Sequence, residues 1–483
     1  MTVIQVEGGA MPGAGPAEEL RLRLARLQAG AAAEPYPTAR RRIDRLNRCI
    51  AMLVDERERI AAAIAADYGH RSWHQTMIAE IFTTVEALKH ARSHVNRWMR
   101  PERRRLPLHL ALLGARGRVF HQPVGVVGVV GPWNFPVNLL LAPLAGILAA
   151  GNRALLKPSE HTPATAELLA ELVAGRFDAD EIAMATGGRA VAEAFCRLPF
   201  DHLIYTGGGE VARLVMRAAA ENLVPVTLEL GGKSPVVIGT GADLAMAARR
   251  IVGGKMLNMG QVCLAPDYIL VAAGQRDALV AALTAEIARL APEGAGGADV
   301  SAIVNQNHYD RLAAYLADAA RRGAAIVTAP GQAPLPEGRR MPITLVVDPP
   351  ADARVMAEEI FGPLIVVRST AGFEAAVEAI RERPRPLALY YFGRDRGEID
   401  RLTRETVSGA LVIGDVIMHY TVEDLPFGGA GASGMGAYHG IDGFRRFSVP
   451  KAVYRQTFLD TSALVRPPFG PRRSRLLDLA IRK

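Results

Sequence analysis

The sequence predicts an α/β protein whose first large unit is a doubly wound, dinucleotide-binding sheet. Three observations carry that expectation. Strand-like and helix-like segments alternate through residues 124–229, the rhythm of parallel strands joined by crossover helices. The run Val124-Gly-Val-Val-Gly-Val-Val130 is apolar and β-branched without polar alternation, as strands buried on both faces of a parallel sheet are. At 483 residues the chain is too long for one hydrophobic core, so a second α/β unit is expected.

Taken in order, residues 1–16 are rich in Gly, Ala and Pro and hold one acid, Glu7. They lack the basic and apolar regions of a signal peptide and read as a frayed tail. Residues from about 17 to 99 read as helices, with 41–66 as one amphipathic helix: Ile43, Leu46, Ile50, Leu53, Ile60 and Ile64 recur at helical spacing, and Gly69 marks its end. Residues 101–107 form a basic, proline-bounded break. Segment 114–122 looks extended, so 106–122 is expected to leave the body as a bridging arm. Strands at 124–130, 153–157, 202–205 and 225–229, with helices near 162–174 and 209–221, complete a cofactor domain made of 17–105 and 123–231. A second βα series fills 232–427, with strands at 268–272, 364–368 and 388–392 and a helix near 276–291. Residues 428–449 return to the cofactor domain. A closing strand at 453–459 belongs to a second bridging segment, 450–467, and 468–483 is a basic tail.

Composition narrows the class. The chain is 49% hydrophobic and 22% charged, ordinary for a globular protein. Its net charge of +8 is spread along the chain and suits an anionic ligand such as a dinucleotide. The arginine runs at 40–42, 100–105 and 472–475 read as solvated faces or subunit contacts, not as a nucleic-acid or lipid patch. The longest apolar run, 139–150, is too short to cross a bilayer and contains Pro143, so no membrane insertion is expected. The three cysteines, Cys49, Cys196 and Cys263, show neither CxxC nor CxxH spacing, which argues against a disulfide framework and against a metal site. A reducing, cytoplasmic location follows.

Two segments carry the chemistry: Leu228-Glu-Leu-Gly-Gly-Lys-Ser-Pro235 and Asn258-Met-Gly-Gln-Val-Cys-Leu264. A thiol attacks a carbonyl to give a covalent intermediate, and a carboxylate activates the water that releases it. In Gly131-Pro-Trp-Asn-Phe-Pro136, Asn134 offers an amide donor for the oxyanion between those steps. Cys49 and Cys196, set among apolar neighbours, read as small buried hydrophobes. Glu229 has two readings. Thr206-Gly-Gly-Gly-Glu210 follows a strand and opens a helix, so it reads as a loose glycine-rich phosphate loop, and an acid about 20 residues on would bind a ribose. By that generic fingerprint Glu229 holds the cofactor.

These segments resemble the aldehyde dehydrogenase superfamily, over about residues 40–455. The resemblance implies an aldehyde dehydrogenase-like fold: a Rossmann-type cofactor domain, an α/β catalytic domain and a small β oligomerisation arm. It implies Cys263 as nucleophile, Glu229 as general base and Asn134 as oxyanion donor. It places NAD in contact with Trp133, Lys157, Ser159 and Glu160, then Thr206, Gly207, Gly208, Glu229, Leu230 and Gly231, and finally Glu359 and Phe361 of Glu358-Glu-Ile-Phe-Gly-Pro363. An acid at Glu160 favours NAD by repelling the extra phosphate of NADP, and NADP is admitted as a second cofactor. Two positions depart from the usual pattern: Gly208 stands where a serine is common, and Gly414 where an asparagine is common. Asp67-Tyr-Gly-His-Arg-Ser72, Ala265-Pro-Asp-Tyr268 and Gly434-Met-Gly-Ala-Tyr-His-Gly440 resemble the class 3 branch, in pattern closest to coniferyl-aldehyde dehydrogenases. That branch implies a homodimer acting on aromatic or medium-to-long-chain aldehydes. Three other readings stand beside it. A CoA-acylating relative generally lacks the Glu229 carboxylate. A cysteine-dependent esterase leaves the cofactor motifs without purpose. A non-catalytic structural protein has no need of the Cys-Glu-Asn set.

Overall fold

The structure, a computed structural model, describes residues 15–460 and 466–481. The frayed tail expected at 1–16 lies outside the described residues apart from Gly15 and Pro16, as do 461–465 of the second bridging segment. Two large sheets and one small one organise the chain. A six-stranded sheet runs in the order Gly434–Met435, Val226–Leu230, His202–Gly207, Val126–Val130, Arg153–Lys157, Ile182–Met184. All its neighbours are parallel except the two-residue edge strand, where Gly434 pairs with Glu229. From the central strand Val126–Val130 the chain winds outward to one side, then restarts at His202–Gly207 on the other. The strand order therefore reverses between those two strands. Such a reversal opens a crevice at the carboxyl ends of the strands.

A seven-stranded sheet holds Tyr268–Ala272, Leu364–Thr370 and Ala388–Phe392 where strands are expected, Leu364–Thr370 running two residues further than its predicted end. It is parallel except at the edge strand Ala325–Thr328. Pairing of these strands is satisfied on both sides, so their side chains are buried on both faces, Ala388–Phe392 completely. The third sheet has three antiparallel strands, Glu102–Arg104, Arg116–Pro123 and Ser448–Arg455. A short strand thus lies inside the break expected at 101–107.

Three local expectations need correction. Residues 41–66 are not one helix: Ala39–Asp55 and Arg57–Tyr68 are separated by Glu56, at φ −102° and ψ 9°. Thr38 caps the first by accepting from the Arg41 N–H at 3.3 Å. Apolar spacing continues through the break, because one non-helical residue barely shifts the pattern. Gly69 ends the second helix in the left-handed region, as the sequence suggests. The closing strand is Ser448–Arg455, not 453–459. Its length is set by its partner, since it pairs residue by residue with 116–123 and stops where that strand begins. The basic tail at 468–483 includes a helix, Pro471–Ile481, with Leu476, Leu477, Leu479 and Ile481 exposed.

Candidate active site

Strand ends bring the predicted residues together. Gly131-Pro-Trp-Asn134 leaves Val126–Val130, Lys157 to Glu160 leave Arg153–Lys157, Thr206 to Gly208 leave His202–Gly207, and Glu229 sits near the end of Val226–Leu230. Their neighbouring carboxyl ends line one crevice. Its outer part, about 750 Å3, is lined by Trp133, Lys157, Ser159, Glu160, Thr206, Gly207 and Gly208 among others. Its inner part, about 250 Å3, is lined by Trp133, Asn134, Thr206, Glu229, Gly231, Cys263, Glu359 and Phe361 among others. Trp133, Thr206, Gly207 and Gly208 belong to both, so the two parts are continuous.

The outer part suits a dinucleotide. Helix Gly209–Ala220 opens at Gly208, so unpaired backbone N–H groups and the positive end of the helix dipole face the cleft. A side chain at Gly207 would meet the Tyr205 hydroxyl at 2.3 Å, whereas Gly208 has open space around it. The Thr206 hydroxyl is buried with no partner among the described residues, a donor facing the crevice. Lys157 is 1% exposed, donates to the Pro158 carbonyl at 2.7 Å and lies 3.7 Å from Glu160. Burial lowers its pKa. Leu230, expected at the cofactor, turns its side chain into the apolar core instead and lines neither part of the crevice.

The cysteine loop is held in an uncommon conformation. Asn258, Met259 and Gly260 have φ of 46°, 50° and 69° in succession. Such backbone persists where the surroundings over-determine it. Asn258 Nδ2 donates to the Asn134 carbonyl at 3.0 Å, and Gln261 Nε2 donates to the Asn258 and Ala302 carbonyls at 3.0 and 3.1 Å. The Val304 N–H donates to Gln261 Oε1 at 3.0 Å. At Gly260 a Cβ would lie 2.4 Å from the Gly362 carbonyl, so the position admits glycine alone. Asn134 Nδ2 donates to the Gln261 carbonyl at 3.1 Å, which ties its amide beside the thiol. One of its two N–H groups is thereby used and the other remains for a ligand.

Support for Asn134 comes from behind. Its carbonyl accepts from the Tyr68 hydroxyl at 3.1 Å and from the Arg71 guanidinium at 3.0 Å. Arg71 pairs with Glu80 at 3.2 Å, both side chains wholly buried. Glu80 in turn accepts from the Val137 and Asn138 N–H groups at 3.1 and 2.8 Å. Burial raises the pKa of Glu80 and this pairing offsets it. Replacing Glu80 with alanine leaves a buried, unpaired guanidinium under the loop. The expected loss is about 3–5 kcal/mol of stability, read by denaturant unfolding. A loss within experimental error would mean that Arg71 finds water or another partner.

Cys263 and Glu229 meet at the inner end. Both line the inner crevice within electrostatic reach of each other, and Glu229 is 2% exposed. Burial pushes Glu229 up to about 8, with the neighbouring Cys263 opposing the rise. Burial and the Glu229 charge push the thiol well above its usual range. The carboxylate, not the thiol, is therefore the group that titrates near neutrality. Glu359, raised to about 7 by burial, accepts from the Gly232 N–H at 3.0 Å. Phe361 stands edge-on to Trp133, ring centroids 5.4 Å apart.

The other two cysteines are buried, and Cys196 lines the outer crevice, which its apolar sequence neighbours do not reveal. His308 and Arg311 at the inner end, and Arg189, Arg197 and Arg217 at the outer end, are not apparent in the sequence. They come from ordinary amphipathic helices or helix ends that carry no motif. Tyr268 is a core residue under Lys233 and Arg383, whereas the Tyr420 hydroxyl donates to Asn138 Oδ1 at 2.5 Å. Gly414, where the resemblance led one to expect asparagine, has φ 75°, a conformation both residues accept.

Comparison with known proteins agrees with this geometry. The model of the "Aldehyde dehydrogenase family" matches residues 21–453. A probable coniferyl aldehyde dehydrogenase of Caulobacter vibrioides is 49% identical over 440 residues, 90% of this chain and 91% of that one. A coniferyl aldehyde dehydrogenase of a Pseudomonas species is 47% identical, over 91% and 92% of the two chains. Among solved structures, the substrate-bound state of Staphylococcus aureus AldH superposes with a TM-score of 0.89 at 33% identity, covering 95% of this chain and 99% of that one. A Mycobacterium tuberculosis aldehyde dehydrogenase complexed with NAD+ has a TM-score of 0.82 at 26% identity, covering 93% and 92%.

Proposed function

The chain belongs to the aldehyde dehydrogenase family, and we propose that it oxidises an aromatic or medium-to-long-chain aldehyde to the carboxylic acid, with NAD+ preferred and NADP+ accepted. The observation that carries this reading is the meeting of Cys263, Glu229 and Asn134 at the inner end of a crevice shaped for a dinucleotide. Coniferyl aldehyde is the first substrate to try, by analogy with the named relatives.

In this reading Cys263, its proton released to solvent, bonds as thiolate to the aldehyde carbon. The remaining Asn134 N–H and the backbone N–H of Cys263 hold the oxyanion of the thiohemiacetal; removing one such donor typically costs on the order of 10²–10³ in rate. NAD+ supplies the hydride acceptor. Thr206, the Gly208 helix start and Glu160 bind and orient the dinucleotide, and Trp133 and Phe361 wall its inner end. Glu229 then deprotonates the water that splits the thioester. Glu160 lies at the outer rim, where a carboxylate repels a ribose phosphate. A free nucleophilic thiol suits the cytoplasm. The exposed strand Ser448–Arg455, at the edge of the three-stranded sheet, suits pairing with a second copy. Among the described residues no helix is long and apolar enough to cross a membrane.

A panel of aromatic and aliphatic aldehydes with NAD+ or NADP+, followed by absorbance of the reduced nicotinamide across pH, tests the reading. Turnover should rise with pH through about 8, because the Glu229 carboxylate is the active form and is protonated below that value. No reduction with any aldehyde, despite measurable NAD+ binding, would overturn the assignment. A flat profile through this range would instead remove Glu229 from the base role.

A further inference from the structure

Arg311 lines the inner crevice together with Glu229, Cys263, Glu359 and Phe361, and the reaction above gives it no task. It stands in the helix Gln306–Arg321, whose start is capped by Asn305 accepting from the His308 N–H at 3.0 Å. Its Nη1 donates to the Glu359 carbonyl at 3.2 Å and to the Tyr315 hydroxyl at 3.1 Å, and its Nη2 reaches the Phe361 carbonyl at 3.5 Å. No other donor reaches either carbonyl among the described residues. The Glu358 carboxylate is taken by Arg354 at 3.1 Å and by the Tyr315 hydroxyl at 2.7 Å, and Arg311 bonds backbone instead of a carboxylate. The backbone it holds is strained. Phe361 has φ 46°, a left-handed conformation that a bulky residue keeps only where its surroundings over-determine it. This loop runs close to the helix: a side chain at Gly362 would meet Leu312, the neighbour of Arg311, at 2.5 Å.

We propose that Arg311 sets the shape of the loop 358–363 and so presents Glu359 and Phe361 to the nicotinamide end of the cofactor, which makes it a positioning residue for hydride transfer. The inference rests on the reading of Glu359 and Phe361 as cofactor contacts. A guanidinium suits this task because its planar fork meets two carbonyls at once, which a single ammonium does not. The Ile360 N–H between those carbonyls is held separately, by Asp267 at 2.9 Å, so the loop is fixed through its carbonyls and its N–H by different partners. The outer crevice contains none of Arg311, Glu359 and Phe361, so the adenosine end of the cofactor keeps its site when the loop shifts. Loss of the fork therefore falls on the chemistry and spares binding.

Arg311→Met removes the donors and keeps the apolar stem, whereas Arg311→Lys keeps the charge and removes the fork. Quenching of tryptophan fluorescence gives NADH binding, and cofactor reduction in a single turnover with limiting aldehyde gives hydride transfer. Both variants should bind NADH as wild type does, while hydride transfer slows roughly 10- to 100-fold, the scale of hydrogen bonds from a charged group. An aldehyde deuterated at its carbonyl carbon should then show a larger isotope effect than in wild type. Full rescue by lysine would overturn the proposal, since charge alone would suffice. So would hydride transfer at the wild-type rate in Arg311→Met, or an equal loss of binding and hydride transfer, the mark of a merely structural residue. Glycine takes a positive φ without strain, so in a Phe361→Gly background Arg311→Met should slow hydride transfer less than it does alone. If Phe361→Gly by itself changes neither binding nor hydride transfer, the loop is no cofactor contact, and that reading fails together with the proposal. Failure of the Arg311 variants alone leaves that reading standing. Should Arg311→Met not fold, Arg311→Lys carries the comparison.

Discussion

Cys263→Ala is expected to lose turnover by roughly 10⁵-fold or more, the scale on which a covalent nucleophile contributes, while binding NAD+ as wild type does. The separation of the two effects follows from the geometry. The loop carrying the thiol is fixed by Asn258, Gln261 and Asn134, none of which uses the sulfur. Val262 and Leu264 on either side remain buried, so the loop keeps its anchors. The outer crevice with Lys157, Glu160 and the Gly208 helix start does not include Cys263. Quenching of tryptophan fluorescence by NAD+ gives the binding half of the test, since Trp133 lines both parts of the crevice. Residual activity above roughly one per cent would place the nucleophile elsewhere.

Glu229→Gln is expected to lower steady turnover by about 10²–10⁴, the range for a general base, yet to retain a burst of reduced nicotinamide close to one per active site. The burst survives for an electrostatic reason. The Glu229 charge helps to hold the thiol protonated, and glutamine removes that charge while keeping the shape. The Cys263 thiol then ionises more readily, and alkylation by iodoacetamide should shift to lower pH. Acylation proceeds and deacylation stalls. Loss of both the burst and the alkylation shift would mean that Glu229 serves chiefly to take the thiol proton. An unchanged steady rate would remove it from the reaction altogether.

Much of the doubly wound sheet was legible because its strands are self-contained signals. The run at 124–130 and the helix start after Gly208 carry their periodicity and glycines locally. Other elements were not, because their limits are set by partners distant in sequence. Ser448–Arg455 ends where 116–123 begins, and the two-residue strand at Gly434 exists only because Glu229 lies opposite. The break at Glu56 is a single residue that no periodicity registers.

The candidate site divides the same way. The motifs around Asn134, Glu229 and Cys263 could be read directly, because each is a short run whose residue types suit one chemistry. They could not show that Glu229 and Cys263 line one cavity, that Asn134 is braced by the Arg71–Glu80 pair, or that the Leu230 side chain packs in the core. His308 and Arg311 had no motif to mark them. The sequence by itself determined the fold class and singled out the candidate reacting groups, since backbone conformation and chemical type are local properties. The tertiary structure decided which groups share a buried space, and with it the protonation of Glu229. Burial and charge proximity depend on segments brought together from far apart in the chain.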